Sequence, residues 1–142
     1  MTARLILAEK RGCWAVALRA ELADAGIRLW EAGTLQTAWQ WLDSHPASFL
    51  IVELSERNTA PLVHQLLDTT RDRPRARVAV VAPRRLASCE WLLREAGAIH
   101  FVCSPRAVGP LAAMACQHLA AVPEDEPRSL RERIWQSLPW GE

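Results

Sequence analysis

Short apolar runs, four or five residues long, alternate along this chain with longer stretches in which apolar residues return every three or four positions. The clearest short run is Phe49-Leu-Ile-Val, set between Ser48 and Glu53. Its brevity and its lack of polar alternation predict a strand buried on both faces, as at the centre of a parallel sheet. Leu5–Ala8 and residues 27–31, 78–82 and 99–103 predict four more strands. Between them, Trp14, Ala17, Leu18, Leu22 and Ala25 recur at helical spacing up to Gly26, which suits a helix C-terminus. A second helix follows Gly33-Thr34, carries Leu35, Ala38, Trp39 and Leu42, and ends at His45-Pro46. Pro61 opens a third with Leu62, Val63, Leu66 and Leu67, fading over residues 69–74. Leu86, Cys89, Leu93 and Ala96 form the inward face of a fourth, closed by Gly97, and Gly109-Pro110 begins a fifth through Leu111, Ala115, Leu119 and Val122.

Five strands alternating with five helices mean βαβ units with right-handed crossovers, and so a parallel sheet covered on both faces. A truncated Rossmann sheet requires a glycine-rich loop after the first strand. That loop is Glu9-Lys10-Arg11-Gly12-Cys13, with a single glycine and no phosphate cradle. The expected fold is therefore an α/β, flavodoxin-like (βα)5 three-layer sandwich around a five-stranded parallel sheet, with an added C-terminal tail helix. The domain plan is a body over residues 1–122, an acidic, proline-bracketed linker over 123–128, and a short amphipathic helix over 129–142. Ser129 and Glu132 form a capping box ahead of Leu130, Ile134 and Leu138, with Trp135 beside that stripe and Trp140 after Pro139.

Composition narrows the classes of function. The chain has 142 residues, of which 50% are hydrophobic and 23% charged, with a formal net charge of +1. No broad electrostatic field favours nucleic acid or an anionic membrane. Arg71, Arg73, Arg75 and Arg77 cluster, but Asp72 interrupts them and no aromatic residue interleaves, which reads as solvated loop charge. Cys13, Cys89, Cys103 and Cys116 stand far apart, as do the four histidines, and lack the close ligand pairs of a zinc site. No metal or cofactor is expected. No apolar run approaches the roughly 18 to 20 residues of a membrane span, and the first ten residues do not form a signal peptide, so the expected location is the cytoplasm.

The order of motifs from residue 4 to about 122 resembles the receiver domain of bacterial response regulators. The residues from Glu9 to Ile27 lie without a gap on that family's opening of an acid pair followed by a helix. The third strand ends in an acid, Glu53; Ala96-Gly97-Ala98 and Pro105 also fall in order. The resemblance implies a phosphorylation site built from an acid pair that holds Mg²⁺, an acceptor aspartate, a Ser/Thr, a lysine and an aromatic switch residue. In this sequence those positions hold Glu9 and Lys10, Glu53, Ala82, Ser104 and Phe101. The loop 55–59 also lacks the family's Pro-Gly turn. Mg²⁺ requires hard oxygen ligands, and stabilising a transferring phosphoryl group requires cations. The chain departs from the family at each of these points.

Two arrangements of the degenerate site are open on sequence grounds. Lys10, the sole lysine, pairs with Glu53 as a built-in replacement for metal and phosphate, or both side chains run out to solvent. Arg84-Arg85 is also within reach of Glu53. Trp14 and Trp39 belong to inward faces, whereas Trp41 and Trp91 fall off the buried stripes of their helices. The resulting expectation is a non-enzymatic pseudo-receiver, a protein–protein interaction module in a signalling or regulatory assembly that works without phosphorylation. Its partner-binding candidates are Trp91, Leu130, Ile134, Trp135, Leu138 and Trp140, engaging a protein partner or a second copy. The alternatives are a receiver with an atypical phosphoryl response and a flavodoxin-like domain that binds a small ligand.

Overall fold

The computed structural model describes residues 3–122. Five strands form one parallel sheet: β1 (Leu5–Ala8), β2 (Leu29–Ala32), β3 (Phe49–Glu53), β4 (Arg77–Val81) and β5 (His100–Val102). Their spatial order is β2-β1-β3-β4-β5, the flavodoxin-like order. β3 lies at the centre, with Leu5 and Arg77 flanking Phe49 in register. Its four apolar residues are buried completely, because a helix layer covers each face of the sheet.

The helices are α1 (Cys13–Leu22), α2 (Leu35–Ser44), α3 (Thr59–Asp72), α4 (Glu90–Ala96) and α5 (Gly109–Ala121). Alternation along each strand divides the core in two. Ile6, Leu50, Val52, Val78 and Val80 face α2, α3 and α4, packing with Trp39, Leu42, Leu62, Leu66 and Leu93. Leu5, Leu7, Phe49, Ile51, Ala79 and Val81 face α1 and α5, packing with Trp14, Leu18, Leu111 and Ala115. Each fully buried large side chain contributes about 1.5–3 kcal/mol.

Polar groups within these layers are matched. The Trp39 indole donates to Thr69 Oγ1 at 2.9 Å, and the buried Ser48 hydroxyl accepts from Arg4 N at 2.9 Å. Gly97 has φ 126°, and a Cβ there would collide with the Thr70 side chain, so glycine is what lets α4 pack against α3.

Several boundaries differ from the sequence expectation. β2 begins at Leu29 rather than residue 27, because an edge strand has pairing on one side only to hold its ends. α3 starts two residues before Pro61 and continues to Asp72; Pro61 still sits in the first turn, where its missing N–H costs nothing. The fourth helical segment is two pieces, a 3₁₀ turn over Arg84–Cys89 leading into a short α4. The linker at 123–128 and the tail helix at 129–142, with Leu130, Ile134, Trp135, Leu138 and Trp140, lie outside the described residues. Among the described residues no helix is long and apolar enough to cross a membrane.

Candidate functional site

The C-terminal ends of β1, β3, β4 and β5 open into a cleft of about 450 Å³. Open α/β sheets place ligands there. Of the positions expected from sequence, Glu9, Lys10 and Glu53 line it, together with Cys13, Arg57, Arg85 and Cys103, whereas Ala82, Ser104 and Phe101 are not among its lining residues.

Glu9 is the least anticipated of them. Gly12, at φ 87°, turns the chain sharply into α1 and supplies no side-chain cap. The Glu9 carboxylate takes that part instead, accepting from Trp14 N at 3.2 Å and from Ala15 N at 2.6 Å. Both oxygens satisfy N–H groups that a helix start leaves unpaired, and the negative charge faces the positive end of the helix. This acid is a structural cap.

Lys10 is exposed and Glu53 half-buried. Among the described residues no ion pair joins them, so of the two arrangements open on sequence grounds the pair is not formed. Arg85 does reach across the cleft, but to Glu56 rather than Glu53. Arg85 Nε donates to Glu56 Oε1, and a second contact, from Arg85 Nη2 to Glu56 Oε2, is 3.3 Å long. The hydrogen bond from Arg85, followed by one to its own backbone, lowers Glu56 from 4.5 to about 2. The loop below Glu53 is fixed by Asn58, whose amide donates to the Glu53 carbonyl at 2.9 Å while its Oδ1 accepts from Ser55 N at 2.7 Å.

Ala82 is fully buried beyond β4 and offers no hydroxyl. Ser104 caps the 3₁₀ turn Pro105–Ala107, accepting from Arg106 N at 3.3 Å. Phe101 is buried in the core shared with α4. Burial pushes the Cys103 thiol up, Glu90 adds to this and Arg84 offsets it, so a thiolate nucleophile is disfavoured at that wall of the cleft.

Glu9, Cys13 and Glu53 bring their ligand-type atoms within 4.8 Å of one another. This set does not fit Mg²⁺. Both Glu9 oxygens already serve α1, the third donor is a thiol, and the next residue is a lysine.

Away from the cleft, Trp91 is 72% exposed and Leu92 43% exposed on α4, with Leu67 51% exposed on the neighbouring α3. Trp14 and Trp39 are buried as the pattern predicts. Trp41 is not a free surface residue: its ring stands edge-on to Trp30 at 6.0 Å and packs on the core. Sequence reasoning missed three features: the Glu9 cap, the Arg85–Glu56 bridge, and the stacking of Arg4 and Arg28 on Trp30. A helix start without Ser, Thr, Asp or Asn immediately before it, preceded by an acid and a glycine, is a signal for the first. The Arg85–Glu56 bridge and the Arg4–Trp30 stacking join residues 29 and 26 positions apart and leave no local pattern.

No family model matches the sequence, and no curated protein sequence matches it. Its fold is that of CheY-like receiver domains, as solved structures show. A response regulator from Thermotoga maritima superposes with a TM-score of 0.69 at 15% identity, over 85% of this chain and 100% of that one. A CheY-like protein (tadZ) from Pseudomonas aeruginosa PAO1 gives 0.64 at 20% identity, over 87% and 100%. A putative pilus assembly-related protein from Burkholderia pseudomallei K96243 gives 0.60 at 17% identity, over 82% and 91%.

Proposed function

We propose that this chain is a non-catalytic pseudo-receiver, an interaction module of a signalling or regulatory assembly that acts without phosphorylation. The observation that carries this reading is the use of Glu9 to cap α1, which takes from the cleft the carboxylate a metal would need. Around Glu53 the remaining helpers are missing as well. Lys10 stands apart, Arg85 is held by Glu56, Ala82 has no hydroxyl and Ser104 caps its own turn. A carboxylate without a positioned cation has nothing to neutralise an incoming phosphoryl group.

The interaction role draws support from α4, where Trp91 and Leu92 present adjacent apolar surface to solvent. Tryptophan is the residue type most enriched at binding hot spots. One of the similar structures is a putative pilus assembly-related protein, and a role in assembling other components suits a module of this kind. Incubation with acetyl phosphate and Mg²⁺, followed by phosphate-affinity electrophoresis, tests the absence of phosphotransfer. The expected result is a single unshifted band. A retarded band that disappears in Glu53→Gln overturns the proposal.

A further inference from the structure

β2 forms one edge of the sheet, with β1 on its inner flank and, among the described residues, no strand on its outer flank. Leu5 stands opposite Leu29 in register, and Glu9 N donates to the Ala32 carbonyl at 3.3 Å. Successive residues of a strand aim their N–H and C=O groups at opposite flanks, so Trp30 and Ala32 face β1. Leu29 and Glu31 turn theirs outward. The strand carries neither a proline nor a bulge, two of the devices by which an edge is commonly blunted.

The two faces of this edge differ in chemistry. On the α2 face, Arg4 and Arg28 stand 3.7 and 4.3 Å from the centre of the Trp30 ring, and Trp41 meets that ring edge-on. Among the described residues neither arginine forms an ion pair, and Asp43 of α2 is taken by Arg73. Two guanidinium charges are therefore held beside the strand by one indole, open to an acid. On the α1 face, Ile27 and Leu29 are half-buried, and Glu31 is neutralised by Arg19. A groove of about 680 Å³ follows residues 27–31 along the edge, with Arg19 and Trp41 as its other walls.

We propose that the β2 edge binds an extended acidic segment of a partner protein, which pairs with Leu29 and Glu31 as an added strand. Strand alternation sets the chemistry of that segment. Its acidic side chains lie on the α2 face and meet Arg28 and Arg4. Its apolar side chains lie on the α1 face and cover Ile27 and Leu29. Main-chain pairing supplies affinity, and the two unlike faces supply the sequence preference. This surface is distinct from the cleft and from Trp91, and its occupancy is independent of phosphotransfer at Glu53.

The test titrates the ¹⁵N-labelled full chain with a short peptide of alternating glutamate and valine. The Leu29 and Glu31 amides, the Trp30 indole and the Arg28 Nε–H should shift, while Phe101 and Val102 near the opposite edge stay still. A peptide with lysine in place of glutamate should move none of these signals. A fully N-methylated version of the acidic peptide keeps its charge but has no backbone donors, and it should not bind. Arg28→Gln should raise the dissociation constant about twofold to fivefold, the scale of one exposed ion pair. Equal binding of the lysine peptide, or binding that survives N-methylation, overturns the proposal. So does the absence of shifts at Leu29 and Glu31. Shifts that follow protein concentration without any peptide also overturn it, because they assign the edge to a second copy.

Discussion

Glu9 shows how one side chain can stabilise a helix start that lacks a capping residue of its own. A carboxylate that accepts two backbone N–H groups at a helix start is held by geometry and by the helix dipole. Glu9→Ala should therefore destabilise the fold by about 0.5–2 kcal/mol, the usual range for a lost N-cap. Urea unfolding measures this, and a midpoint equal to the parent's would show that α1 starts without help. Lys10 and Glu53 make the contrasting case. With no ion pair between them, a double-mutant cycle of Lys10→Met and Glu53→Gln should be additive to within about 0.5 kcal/mol. A coupling of about 3 kcal/mol, the scale expected for a desolvated pair, would show that the two side chains meet in solution. The departure from the receiver pattern at these positions was legible because Lys10, Ala82 and Ser104 differ from it in residue type. The new employment of Glu9 was not, because it depends on the left-handed turn at Gly12.

At the scale of elements, the loops around the cleft are tied together. Arg85, in the 3₁₀ turn after β4, bridges to Glu56 after β3. The bridge is exposed and its strength depends on ionic strength. Its signature is titration. Glu56, lowered from 4.5 to about 2 in the fold, contributes stability that is present above pH 4.5 and is lost as pH falls from there to about 2. Carboxyl NMR should find Glu56 titrating near pH 2 in low salt, and shifted upward in Arg85→Ala though still held below 4.5 by its backbone hydrogen bond; an unchanged midpoint in that variant removes Arg85 as the cause. The packing of α4 on α3 rests on a different device. Gly97→Ala should cost about 1–3 kcal/mol, since its φ of 126° strains any side chain and the added carbon meets Thr70. Thermal unfolding reads this directly, and a melting temperature equal to the parent's would mean that Thr70 moves aside and the backbone relaxes. Gly97 was recognisable as a helix stop from sequence. Its close approach to Thr70 was not, because the two are 27 positions apart.

For the molecule as a whole, periodicity alone specified the sheet. Continuous apolar runs at residues 5–8 and 49–52 can be buried on both faces only when helices cover each side, and the poor glycine content of the first loop removed the Rossmann option. Charge placement was less legible, since Arg4 and Arg28 come to share one indole only when β1 and β2 are set side by side. The last expectation concerns the chain beyond Val122. Among the described residues, both core layers are built from buried residues between Leu5 and Ala115. Truncation after Val122 should leave a domain that unfolds in one cooperative transition. The segment 129–140 offers about three turns of amphipathic sequence, too short for a stable isolated helix, and it carries Trp135 and Trp140, a residue type enriched at binding hot spots. Truncation should therefore abolish association with a partner captured by the full chain, while Trp91→Ala weakens that association without altering the melting temperature, because Trp91 is 72% exposed. Circular dichroism and pull-down on the same three proteins separate the outcomes. Loss of cooperative unfolding on truncation would make the tail a part of the core, and retained binding would move the partner site onto the body, to α4.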